Sequence, residues 1–518
     1  MAKAVGDFSK GKVSSHIVRL GLPIMAAELV HVLYNLVDRM FIGHMENVGT
    51  AALTGVGVVF PLITMITAFA NLCGSGGAPL SSIARGEGDD EKAERILGTS
   101  FTMLLTIGLI LTVLLYVVAP WAIELLGGDE ETLPYALSYF RIYVLGTVPV
   151  MINLGMNPFI NAQGFPRIGM LTVIIGAVMN IILDPIFIFV LGMGVQGAAI
   201  ATVISQIAGA LWALLFLCGK KPILRLKRLA FDPQAAKSIV SLGVTGFTFK
   251  VTNSITQAVI NITLKAWGGT ASTLYVGAMS IINSIREIAQ LPSSGFMSGA
   301  QPVMGFNYGA KLYRRVSDSI RFVFFAILFL NTTMWLIVEL SPQTLIGIFT
   351  NDPELMETTV KCIRIYFLAF PFMTLQMIGQ HTFVALNYPK QALFFSLFRK
   401  LGLILPFTLI LPRAGLGVMG PFWAEVISEL VGATSAFTAM YFVIWRKMKK
   451  AAEAEEAASN EIEKIDKFLD GTNALMTLVN PETPVLPNLE EYLEEWGVTF
   501  DRYTQEALGT GIKGATPG

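Results

Sequence analysis

Apolar runs of about 20 residues recur along most of this chain, and about 20 residues is what a helix needs to cross ~30 Å of hydrocarbon. Twelve such runs are placed near 20–43, 52–83, 97–120, 135–162, 169–192, 196–218, 239–266, 274–300, 318–341, 357–386, 392–412 and 417–445. With 53% hydrophobic and 14% charged residues in 518, and a mean hydropathy of +0.61, the chain holds more apolar side chains than a soluble domain can hide. It reads as an all-α polytopic membrane protein. The segment before Arg19 is polar and is followed by no small-residue cleavage site, so the first helix is expected to remain. Three cysteines, Cys73, Cys218 and Cys362, lie within or beside apolar runs and suggest neither a disulfide framework nor a metal site.

Basic residues sort to alternate loops: Lys10 and Lys12, then Arg85, Lys92 and Arg95, then Arg167, the stretch Lys220 to Arg228, then Arg314 and Arg315, Lys390, and Arg446 to Lys450. The intervening loops carry mainly acids, among them Glu46, Asp129, Asp352 and Glu354. Both termini are therefore expected on the cytoplasmic side of a bacterial cell membrane. Beyond residue 450 the balance reverses, with fourteen acidic and four basic residues.

The chain also repeats itself. Arg141-Ile142-Tyr143 recurs as Arg364-Ile365-Tyr366, Pro166-Arg167 as Pro389-Lys390, and Gly194-Val195-Gln196-Gly197 as Gly417-Val418-Met419-Gly420. Pro79, Gly86 and Asp129 recur as Pro302, Gly309 and Asp352, all at one shift of 223 residues. Twelve transmembrane helices in two homologous six-helix bundles follow, running parallel, with a site expected between or within them. The divisions are an N-terminal lobe at 1–218, an inter-lobe loop at 219–238, a C-terminal lobe at 239–447 and an acidic tail at 448–518.

Ionisable groups are costly inside a span and face a cavity or each other. Glu28, His31, Asn35 and Asp38 are spaced to share one stripe of the first span, and Asn180 and Asp184 share a face of the fifth. Asp38 and Asp184 lie about 27 and 22 Å up their helices, and Thr202 of the sixth span descends to a similar level. Acids, an amide and a hydroxyl suit a proton or a hard cation such as Na⁺. Under the 223-residue shift Asp38, Asn180 and Asp184 fall on Asn261, Leu403 and Phe407, so the acidic cluster belongs to the first half alone. In the second half Arg286, Glu287, Gln380, His381, Glu425 and Glu429 are candidates, Arg286 and Glu287 neutralising one another locally. Pro79, Pro185 and Pro302 are expected to bend their helices, with Gly/Pro clusters breaking the second and eighth. The 22 Met and 34 Phe suit a deformable apolar pocket. No G-x-x-x-x-G-K-[ST] loop, H-E-x-x-H motif or other catalytic cluster occurs, so neither an ATP site nor an enzyme is indicated, and an ion gradient is the simplest energy source.

The strings LGLPIMAAELVHVLYNLVDRMFIG, ARGEGDDEKAERILG, NPFINAQGFPRIGM, VMNIILDPIF and GAQPVMGFNYGA resemble the multidrug and toxic compound extrusion (MATE) family, in its DinF/MepA-like bacterial branch, over residues 8 to 447. The resemblance implies a V-shaped pair of six-helix lobes (the MATE fold) and export of small amphipathic organic cations in antiport with H⁺ or Na⁺. It implies a coupling site at Asp38, Asn180, Asp184 and Thr202, able to take Na⁺, and a substrate cavity including Asn35, Asn157, Gln380 and His381. The acid that other branches carry in the seventh span is missing from KVTNSITQAVINITLKAW. Such a protein works as a monomer among membrane lipids, without nucleic acid, ATP or other cofactor. A flippase of lipid-linked or polyprenyl substrates, from the same superfamily, is the alternative, but would want a strongly cationic cavity. The tail resembles a fragment of a GldG-like ABC-transporter accessory protein, which suggests a gene fusion or assembly joint.

Overall fold

The structure is a computed structural model; it describes residues 6–45, 49–127, 130–227 and 229–454, with a few scattered positions up to 467. Two compact units divide the chain, residues 1–452 and 453–518. The reading of the tail as a fusion fragment falls almost wholly outside the described residues.

The first half builds α1 (Val13–Gly43), α2 (Gly49–Gly86), α3 (Asp90–Leu125), α4 (Leu133–Leu145), α5 (Thr147–Ala162), α6 (Pro166–Pro185) and α7 (Gly194–Leu217). The second half builds α8 (Pro233–Trp267), α9 (Ser272–Gly309), α10 (Tyr313–Leu340), α11 (Pro353–Phe367), α12 (Met373–Ala385), α13 (Pro389–Leu397), α14 (Leu405–Leu411) and α15 (Gly420–Met440). Seven helical stretches among the described residues are long and apolar enough to cross a membrane, or nine if α4 with α5 (bent by 59°) and α11 with α12 (bent by 40°) each count as one span. One stretch, residues 389–454, contains two spans. The helices α8 and α9 complete the twelve; polar residues including Lys250, Arg286 and Glu287 dilute their apolar character.

Local chemistry sets many of the helix ends. The carboxylates of Asp89, Asp232 and Asp352 accept hydrogen bonds from the first free backbone N–H groups of α3, α8 and α11. The turns ending the fifth and eleventh spans use left-handed glycines at shift-related places: Gly192 and Gly194 at φ 64° and 55°, Gly415 and Gly417 at φ 102° and 52°. Pro185 ends α6 and is followed by a π-helical turn, Ile186–Val190. Pro79 and Pro302, in contrast, sit inside continuous helices, so the expected breaks in α2 and α9 are absent. Both helices pack against several neighbours, and the helical runs continue through these prolines.

Two hydrophobic cores form, one in each half, and α1 belongs to both. Val13, Ile17 and Leu20 pack into the second core, whereas Ile42 and Met45 pack into the first. The halves touch through α1 against α9, α2 against α8 and α2 against α9. Backbone meets backbone there: a Cβ on Gly76 would lie 2.2 Å from the Ile239 carbonyl oxygen, and one on the shift-related Gly299 2.6 Å from the Gly21 nitrogen. These contacts lie toward the start of α1 and α8 and the end of α2 and α9. At the same end Arg85 donates to the carbonyls of Gly6 (2.7 Å) and Ala162 (2.9 Å), and Arg315 donates to those of Phe8 (2.7 Å) and Gly11 (2.8 Å). The segment before α1 is thus pinned by an arginine from each half.

Candidate functional site

Asp184, brought inward by α6 just before Pro185, is fully buried, and Asn180 one turn earlier lies beside it. The Asn180 Nδ2 donates to Asp184 Oδ1 (3.1 Å) and lies 3.4 Å from Thr202 Oγ1 on α7. From α1, Asp38 comes within hydrogen-bonding reach of the Asp184 carboxyl group. The four residues singled out from the sequence therefore meet, contributed by three helices. A hydrogen bond between two carboxyl groups needs a proton between them, and two carboxylates without it need a cation. The Asn180 Oδ1 is buried with no donor among the described residues, a further oxygen on one of the cluster's own side chains. Carboxylate, amide and hydroxyl oxygens are the donor set of a hard cation.

Three tyrosines surround the acids that sequence reasoning passed over. Tyr139 bonds Thr202, Tyr34 bonds Gln206, and the buried Tyr139 and Tyr143 rings stack at 6.0 Å. Their signal was readable: Tyr139 and Tyr143 are four apart, and Tyr143 is part of the repeated Arg-Ile-Tyr string. Gln206 in turn accepts from Asn153 Nδ2 at 2.8 Å.

The cluster opens through Tyr34, Asn180 and Thr202 into a cavity of about 680 Å³ walled by both halves. Asn157, Gln380 and His381 line it as expected from the sequence, but each is already engaged. Asn157 donates to the Gly169 carbonyl (2.8 Å), Gln380 accepts from Gln376 (2.9 Å), and a His381 ring nitrogen lies 2.7 Å from Gln301. The side chain of Asn35 is outside the described residues. The cavity also collects Glu28, His31, Lys250 and Glu287. Glu28 is held by the Ser294 hydroxyl, a bond that crosses from α1 to α9. Lys250, in the span whose lack of an acid was noted, is the unexpected cation here; Glu287 lies near it.

Arg286 does not neutralise its neighbour Glu287. Its guanidinium pairs with Glu425 on α15 (2.7 Å) and bonds the Tyr366 hydroxyl, because consecutive helical residues point to different faces. Arg399 joins the same cluster, pairing with Glu429 and lying 3.5 Å from Glu425. Lys400 adds a third cation and donates to Asn253 Oδ1 at 3.0 Å. Arg399, Lys400, Glu425 and Glu429 are buried and Arg286 is partly so, and Arg399 with Lys400 was a legible pair of cations inside the apolar run 392–412.

The sequence matches the MatE family model twice, over residues 23–186 and again over 251–410, one match to each half. The chain belongs to the MatE family. Curated relatives include the multidrug export protein MepA of Staphylococcus haemolyticus, 25% identical over 466 residues that cover 88% of this chain and 98% of the relative. MepA of Staphylococcus aureus strain MSSA476 is 23% identical, covering 84% and 95%. Among solved structures, an outward-facing multidrug resistance MATE family transporter of the MOP superfamily superposes with a TM-score of 0.79 at 24% identity, covering 86% of this chain and 98% of that one. A MATE structure in a bent conformation gives 0.80 at 23% identity, covering 87% and 99%. The MATE fold of twelve helices in two lobes is that of this chain, a multi-pass membrane protein whose kinship is with transporters rather than enzymes. The family-model matches end at residue 410.

Proposed function

We propose that this protein is a secondary active exporter of small amphipathic organic cations, driven by H⁺ or Na⁺ returning across a bacterial cell membrane, with both termini cytoplasmic. The observation that carries the reading is the meeting of Asp38 and Asp184 beside a cavity shared by the two lobes. A proton or Na⁺ between the two acids ties α1 to α6; its departure leaves two like charges in a low-dielectric site and drives them apart. Because the start of α1 is packed in the C-terminal core and its end in the N-terminal core, a shift of α1 changes the wall of the cavity and the contact between lobes together. Ion occupancy and drug occupancy are thereby linked through one helix.

The cavity's acids, Glu28 and Glu287, favour cationic cargo, and its amides supply further hydrogen bonds. A flippase for anionic lipid-linked substrates draws support from Lys250 on the same wall, outnumbered there by the two acids. Ethidium efflux from proteoliposomes tests the reading, with Asp184→Asn alongside. Gradient-driven efflux that Asp184→Asn abolishes supports it; efflux retained by the variant removes the coupling site.

A further inference from the structure

The charged cluster of the C-terminal lobe stands where the repeat places the acidic cluster of the N-terminal lobe. The 223-residue shift carries Tyr143 onto Tyr366, Thr202 onto Glu425 and Gln206 onto Glu429. Each lobe thus uses one intramembrane position between its fourth and sixth spans for polar chemistry, and the two clusters have opposite polarity. The N-terminal one gathers two acids. The C-terminal one gathers three cations, Arg286, Arg399 and Lys400, against two acids, Glu425 and Glu429.

We propose that the C-terminal cluster is a second proton-exchange station of this transporter, with the Lys400 amine as the group that releases and regains the proton. Arginine does not deprotonate in proteins, whereas a buried lysine amine does so readily. Each acid already faces a guanidinium: Glu425 pairs with Arg286 and Glu429 with Arg399. The charge left over is that of Lys400. Lys400 donates to an uncharged partner, Asn253 Oδ1, and its ammonium lies 5.9 Å from the Phe249 ring centroid. Around it stand Arg399 on its own element, Glu425 and Glu429 from α15 and Arg286 from α9, with Asn253 and Phe249 of α8 beside the amine. When an N–H bond of Lys400 breaks, the electron pair stays on Nζ, the proton passes to water of the central cavity, and the cluster goes from one excess positive charge to neutral. An uncompensated charge in a low-dielectric interior is costly, so neutrality favours the deprotonated state. Phe249 is a wall of both the Lys400 site and the cavity, which places the amine one side chain from the water that exchanges with it.

The proposal rests on the exporter reading but not on its N-terminal coupling site. Ethidium efflux is measured in proteoliposomes across a range of pH at a fixed imposed gradient, for the wild type, Lys400→Met, Lys400→Arg and Asp184→Asn, with thermal melts to establish folding. Lys400→Met makes the cluster permanently neutral and removes the exchanging amine, and is expected to flatten the pH profile of export. Lys400→Arg fixes the excess charge and is expected to slow export about tenfold; it decides the matter should Lys400→Met fold poorly. Wild-type pH profiles in both lysine variants overturn the proposal, as does a wild-type rate that is flat with pH. Export retained in Asp184→Asn counts against the N-terminal coupling site and leaves Lys400 to be read by its own variants.

Discussion

The two lobes share one backbone plan and fill the same intramembrane position in opposite ways. In the N-terminal lobe Asp38 and Asp184 are neighbours with oxygen-bearing side chains around them and an opening to the cavity. In the C-terminal lobe Glu425 and Glu429 are met by Arg286 and Arg399, side chains that reach across from α9 and from the stretch after α13. Two acids set side by side hold a place for a mobile cation; acids given guanidinium partners tie α9, α15 and the stretch after α13 together. Duplication supplied the position, and substitution decided whether its acids face one another or are braced by guanidinium groups, which leaves Lys400 as the proposed exchanging group of the second cluster.

Removing the ionisable group on the mobile side is expected to have the largest effect. Asp38→Asn and Asp184→Asn each keep the shape of the site while abolishing cation exchange, so drug efflux from cells should fall to the level of an empty vector with unchanged expression. Breaking the braced side should act on stability instead. Arg399→Met leaves Glu429 buried without its partner, and removal of one member of a buried pair costs about 3–5 kcal/mol, read as a large drop in melting temperature. A melting temperature close to wild type would mean that the cluster is not a brace. The double variant Arg399→Met/Glu429→Leu, which removes both charges, should recover much of the loss.

A smaller effect is expected where the lobes are strapped together. Arg315→Ala removes hydrogen bonds to the Phe8 and Gly11 carbonyls and to Asn307, and charged hydrogen bonds contribute about 1.5–3 kcal/mol each when buried. Because Arg315 is partly exposed, a total loss of about 2 kcal/mol is expected, with efflux retained. Shortening the chain after Ala452, where the first compact unit ends, should change export least of all. Efflux equal to full length fits a tail that takes no part in transport, whereas loss of efflux at normal expression assigns it a role.

The sequence revealed the lobes because a constant shift survives wherever a turn or close contact leaves little choice of residue, as at Gly194 and Gly417 or Gly86 and Gly309. It revealed the acid cluster because charge in a span is rare and Asp38, Asn180 and Asp184 keep helical spacing. It did not reveal which charges pair. Arg286 and Glu287 are adjacent in the chain but point to different faces, and the true partner of Arg286 is 139 residues away on α15. Nor did it reveal that Pro79 and Pro302 sit in unbroken helices, since continuity through a proline depends on the packing of neighbouring spans. The double membership of α1 was equally hidden, because both of its ends are apolar and only the fold says which core each end enters.

The central claim is that a cation held between Asp38 and Asp184 powers export. Its most direct test is ethidium efflux from proteoliposomes of the purified full-length protein under proton and sodium gradients imposed one at a time. The account predicts that at least one gradient, inward for the ion, drives efflux and that its collapse by an ionophore stops it at once. Efflux that proceeds equally with no gradient, or that neither ion can drive, would contradict it.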